Sequence, residues 1–159
     1  MPLRIRWAQK EFLSIAFMLF GACGLFQAFY IFIAQYFFRI GNYYVVILIP
    51  IGVTFALFYA STVIFESYAQ VKRRKKLKQR FAKSVLSVER VKRFLEFPVV
   101  RPLLIIFIVF SACFFPSYYI SKVYFNTIIS FIIAENIGTI VCILVANLIE
   151  KVYGRVQRY

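Results

Sequence analysis

The sequence predicts an all-α integral membrane protein, a four-helix bundle of two hairpins joined by a basic amphipathic cytoplasmic helix. Three observations predict it. Four apolar windows are long enough to cross a bilayer as helices. The chain is 62% hydrophobic over 159 residues, where a soluble domain is about half apolar. Its net charge of +14 is collected in short segments beside those windows rather than spread over a folded surface. The longest polar stretch, about thirty residues, has too few apolar positions to fold alone, so one membrane domain over residues 1–159 is expected.

Arg4, Arg6 and Lys10 precede the first span, residues 12–38, which carries no formal charge. That run is too long for the apolar region of a signal peptide and long enough to cross with tilt. Along it Ser14, Gly21, Ala28 and Gln35 repeat at seven, with Gly24 between, a seam suited to a left-handed helix crossing. The second span, residues 40–65, is also free of charge and follows so closely that only a tight turn can join the two. It carries Gly52, Ala56 and Ala60 at spacing four, a line along which another helix can approach. Pro50 lies inside it and predicts a kink, or a hinge.

The basic segment, residues 72–101, holds Lys72, Arg73, Arg74, Lys75, Lys76, Lys78, Arg80, Lys83, Arg90, Lys92, Arg93 and Arg101 against two acids, Glu89 and Glu96. Such a run cannot cross a bilayer. Leu77, Phe81, Val85, Val88, Val91 and Leu95 recur at three to four, which predicts an amphipathic helix along the membrane surface, stopped by Pro98 and Pro102. Anionic headgroups are the expected counter-charge, at about 1 kcal/mol per basic residue, and nucleic acid is not. The third span, residues 102–121, is just long enough and contains Pro116; the fourth, residues 123–149, contains a single charge, Glu135, and a line of small residues, Ala134, Gly138, Cys142 and Ala146. A basic tail, residues 150–159, closes the chain.

Eighteen Lys and Arg fall at the termini and in the middle segment, and only Arg39 and Lys122 fall between paired spans. By the positive-inside rule both termini face the cytoplasm, or the matrix of an organelle, with the protein in the plasma membrane or an organelle inner membrane. Phe20-Gly21-Ala22-Cys23 answers to Phe110-Ser111-Ala112-Cys113, and Glu66 and Tyr68 answer to Glu150 and Tyr153, a hint that the halves are duplicated in parallel orientation.

Chemistry has few parts here. The chain has no His and no Asp, and Cys23, Cys113 and Cys142 sit singly inside apolar spans, so no disulfide, metal, cofactor or catalytic constellation is expected. Glu135 is the exception, beside Asn136 and a turn before Thr139. Either it pairs or snorkels near Lys122, or it is a coupling carboxylate facing a cavity. Gln27, Gln35 and Asn147 are suited to interhelical hydrogen bonds.

Residues 12–24, with a Phe followed by small residues, and Ala134-Glu135-Asn136-Ile137-Gly138 through Asn147 to Tyr153 resemble the GtrA-like family of four-span proteins. The resemblance implies a role in lipid-linked sugar transfer or translocation. The chain departs from that family's pattern in lacking an Asn at the end of the second helix and a Trp-x-Phe closure of each half, and its basic middle segment is much longer. The residues themselves point to a non-enzymatic subunit that docks onto other membrane subunits, or onto copies of itself, and onto anionic lipid. The other reading is a small transporter or lipid-linked sugar flippase working through Glu135.

Overall fold

The computed structural model describes residues 10–79 and 99–155, which form four long helices. These are α1 (Lys10–Phe32), α2 (Tyr43–Gln79), α3 (Val100–Tyr124) and α4 (Thr127–Arg155). Each supplies a stretch long and apolar enough to cross a membrane, which for α1 includes the wider turn that follows it: Leu13–Phe37, Tyr43–Ala69, Val100–Tyr124 and Thr127–Val152. At 1.5 Å per residue these stretches run to about 40 Å, enough to cross a ~30 Å hydrocarbon core at a tilt. A helix satisfies all its backbone groups internally, as lipid requires.

The ends of the helices are locally determined. A wider turn, Ile33–Phe37, extends α1 and closes with the Phe38 N–H donating to Ile33 O at 3.1 Å and the Ile40 N–H to Ala34 O at 3.2 Å. Arg39 then takes a left-handed backbone, φ 50°, to reverse the chain. That reversal occupies residues the sequence reading gave to the second span, which is why α2 starts at Tyr43 rather than at residue 40. Phe125 ends α3 in an extended conformation, its amide donating to Ser121 O at 2.9 Å, and the Asn126 carbonyl receives the Ser130 amide at 2.9 Å to open α4.

One boundary differs more widely. The second span was expected to stop at residue 65, with a separate surface helix beginning at residue 72, whereas α2 is continuous to Gln79. No Gly or Pro lies between Phe65 and Lys72 to break it. Lys72, Arg73, Arg74, Lys75, Lys76 and Lys78 therefore occupy the last turns of a 37-residue helix about 55 Å long. Arg80, Lys83, Arg90, Lys92 and Arg93 lie outside the described residues. Pro50 and Pro116 are accommodated inside continuous helices.

Packing order follows from which side chains meet. α4 packs extensively on both α3 and α2, α2 packs on α1, and α1 meets α3 with little close backbone approach. Phe26 meets Phe107, Tyr30 meets Phe110, and Phe38 meets Tyr118, so α1 and α3 run parallel. Cys142 lies at the Ile106 carbonyl, Gly138 at Phe110 and Phe131 at Phe114, so α3 and α4 run antiparallel. Arg39 and Lys122 consequently sit at one end of the bundle, and Arg101 and Lys151, both exposed, at the other.

Rings explain the separation of α1 from α3. Phe26 and Tyr30 are four apart on α1, with Phe38 just past the wider turn that extends it, and Phe110, Phe114 and Tyr118 are four apart on α3 and form a column along one helix face. The two sets interdigitate with centroids at 4.7 Å for Tyr30 and Phe114, 5.0 Å for Tyr30 and Phe110, and 3.7 Å for the stacked Phe38 and Tyr118. Such pairs add roughly 0.5–1.5 kcal/mol each beyond their buried area. Between α3 and α4 the approach is close, because Gly138 has no side chain and the Phe110 ring lies against it.

Candidate functional site

The most unusual side chains are inside the bundle. Glu135 on α4 is 0% exposed, and neither carboxyl oxygen has a hydrogen-bond partner among the described residues. Gln27 on α1 is 1% exposed, with both its amide nitrogen and its oxygen unpaired. Buried polar groups are nearly always paired, so each exception calls for a cause. From the Thr127 end of its span Glu135 lies about 12 Å deep, and Gln27 is about 15 Å from the Phe37 end, so both are at hydrocarbon level.

Glu135 does not pair with Lys122, as one of the two sequence readings expected. The Lys122 ammonium lies over the Tyr118 ring, 5.9 Å from its centroid, and the Glu135 carboxyl points into the bundle instead of reaching for the surface. Tyr30 is close enough to Glu135 and Cys142 to interact with both electrostatically. Its hydroxyl is otherwise engaged: Ser111 donates its one proton to Phe107 O at 2.7 Å, so at 2.8 Å Tyr30 donates to the Ser111 oxygen. This bond ties α1 to α3 beside the carboxyl.

Several other buried hydroxyls turn back on their own helices, while that of Tyr118 has no partner among the described residues. Thr54 donates to Pro50 O at 2.7 Å, Thr62 to Phe58 O at 2.8 Å, Ser67 to Val63 O at 2.9 Å and Thr139 to Glu135 O at 2.6 Å. Thr139 thus serves the backbone of Glu135 and leaves the carboxyl alone.

Comparison with protein-family models, with curated proteins and with solved structures finds no match for this chain. The likeness to the GtrA-like family thus has no family support.

The predicted packing lines are distributed unevenly. Ala134, Gly138, Cys142 and Ala146 are all buried, facing α2 and α3. On α2, Ala60 is buried and Ala56 half-buried, while Gly52 is exposed with open space beside it. On α1 the line at spacing seven is not the inner face. Ser14, Gly21 and Ala28 are exposed and Gly24 and Gln35 half-buried; the bundle instead receives Ala16, Leu19, Cys23, Gln27, Tyr30 and Ala34. The large side chains at the latter positions bury more apolar surface, and the aromatic column fixes the rotation of α1. Asn147 faces outward and Gln35 is only half-buried, so neither joins the buried Gln27 and Glu135.

Two features were missed in the sequence. The aromatic columns had a readable signal, rings at spacing four on helices one and three. Glu66 and Glu150, which in the sequence hint only at duplication, come within electrostatic reach of each other on α2 and α4, with Glu66 half-buried.

Proposed function

We propose that this protein is a non-enzymatic four-span membrane subunit, two hairpins with their basic ends on the cytoplasmic or matrix side, which docks onto other membrane subunits and anionic lipid. The observation that carries this reading is the filling of the bundle. From Phe26 to Phe38 interdigitated rings occupy the space between α1 and α3, and the hydroxyls of Thr54, Thr62, Ser67 and Thr139 are spent on their own helices. A transporter needs a polar path at mid-membrane, and this interior favours a rigid scaffold. Docking is supported by the outward small residues of α1, where no other atom comes within 4 Å of a side chain added at Gly21 or Gly24, leaving room for a neighbouring helix.

A second reading has its own observation. An unpaired carboxyl and an unpaired carboxamide at hydrocarbon level are what a proton-coupled transporter or lipid-linked sugar flippase would use. Reconstitution of the parent and of Glu135→Gln in liposomes separates the two. The scaffold reading expects no flux from the parent, and a variant that still inserts and copurifies with its partners, because interhelical polar contacts in lipid average about 0.6 kcal/mol. A proton-dependent flux in the parent, lost in the Gln variant, establishes the transporter.

A further inference from the structure

The wide spacing of α1 and α3 leaves a cleft of about 240 Å³ lined by Ala22, Cys23, Phe26, Leu103, Ile106 and Phe107. The cleft starts at Val100, the first residue of α3, and is closed toward the opposite end by the Phe26 and Phe107 rings, 4.6 Å apart, with Phe110 behind them. It is therefore an apolar slot open at the end of the bundle where the positive charge collects. Arg101, exposed, follows Val100 in the chain at this end of the cleft, and exposed Lys151 on α4 and the basic last turns of α2 lie at the same end of the bundle.

We propose that this cleft holds one acyl chain of an anionic phospholipid whose headgroup sits beside Arg101. The proposal rests on the anionic-lipid part of the function above and gives it a place. Two arguments select this occupant. The first is shape: the slot narrows to the Phe26 and Phe107 rings, 4.6 Å apart, which shut out a helix of about 10 Å diameter, whereas a single flexible hydrocarbon chain can enter from the open end. The second is charge. An anionic headgroup at this depth meets the basic end directly, and a zwitterionic one gains no net attraction from it. A second cleft, between α1 and α2 and lined by Leu13, Ala16, Phe17, Phe20, Phe55 and Phe58, is equally apolar but takes no residue from α3, so it serves as an internal control for the dependence on Arg101.

The test uses the full chain in vesicles of phosphatidylcholine with a minority of phosphatidylglycerol, one of the two carrying a diazirine midway along one acyl chain. After irradiation, adducts are mapped by mass spectrometry. With the phosphatidylglycerol probe, adducts should concentrate on Cys23, Phe26, Leu103 and Phe107 over outward residues such as Phe32 and Ile108. Arg101→Gln should lower the cleft adducts by about fivefold, the equivalent of ~1 kcal/mol for one basic residue at the surface. Filling the slot with Ala22→Phe should remove them while leaving the α1/α2 cleft unchanged. Adducts spread evenly over the outward faces, adducts concentrated in the α1/α2 cleft, or equal cleft labelling by the phosphatidylcholine probe each overturn the proposal. Because the mapping is made first on the parent, a variant that fails to fold does not decide it. Copurification with partners from native membranes is scored separately, so loss of the lipid site with partners retained counts against the cleft alone.

Discussion

Replacing Gly138 by Ala should destabilise the bundle by about 1 kcal/mol, the reverse of what helix propensity favours. A Cβ at this position would lie 3.0 Å from one carbon of the Phe110 ring and 3.1 Å from the next. Relief requires the ring to retreat by a few tenths of an ångström. It cannot do so freely, because Phe110 is 0% exposed and is backed by Phe26 at 5.5 Å, Tyr30 at 5.0 Å and Phe114 at 5.8 Å. Overpacking of this kind costs typically 1–3 kcal/mol, against a propensity gain of up to ~1 kcal/mol for removing a helix-interior glycine. Gly52→Ala supplies the control, since the same change there meets open space and should be neutral or slightly stabilising. Unfolding of the purified protein by titration with a denaturing detergent, followed by the loss of tertiary near-ultraviolet signal, reads the difference. A background of Phe110→Leu should abolish the penalty at Gly138, the coupling expected of residues in contact. If Gly138→Ala is as stable as Gly52→Ala in the parent background, the close approach of α3 to α4 described above is wrong.

Two other substitutions test separate features by the same unfolding measurement. Arg39→Gly should stabilise by about 0.5 kcal/mol, because φ 50° is strained for an arginine and free for glycine, although glycine loses more entropy on folding; a loss would mean that the Arg39 side chain contributes more than its backbone costs. Gln27→Leu should raise stability by about 1 kcal/mol by removing a buried carboxamide that has no partner among the described residues, and a loss of stability would show that the amide is paired, through water or another subunit.

The four helices were legible because length and apolarity decide them, and the requirement that lipid imposes on backbone groups leaves no competing structure. The α4 line of small residues was legible for a related reason: Ala134, Gly138, Cys142 and Ala146 are the narrow face of their helix, and neighbours close onto it. On α1 the line of small residues faces outward, and the sequence did not show which face the bundle would take. Small residues mark where a helix can come close, but the rotation of α1 is set by Tyr30 and Phe26 meeting Phe107, Phe110 and Phe114, a contact between distant segments that no local period announces. The end of α2 was misplaced because a change from apolar to basic residues marks the edge of a membrane, not the end of a helix. Glu135 was recognisable as the single charge in its span, but its isolation from Lys122 was not, since which way a side chain points depends on the packing of the other helices.

Orientation underlies both the proposed docking and the lipid site, and one labelling experiment tests it. In a chain whose Cys23, Cys113 and Cys142 have been replaced by Ala, single cysteines at Gly41 and Gln79 are challenged with a membrane-impermeant maleimide on intact cells. Gly41 lies in the short connection between α1 and α2, and Gln79 ends α2 about 55 Å away along the helix. Gly41→Cys should be labelled from outside and Gln79→Cys only after the membrane is opened. Labelling of Gln79→Cys on intact cells would put the basic end outside and contradict this orientation.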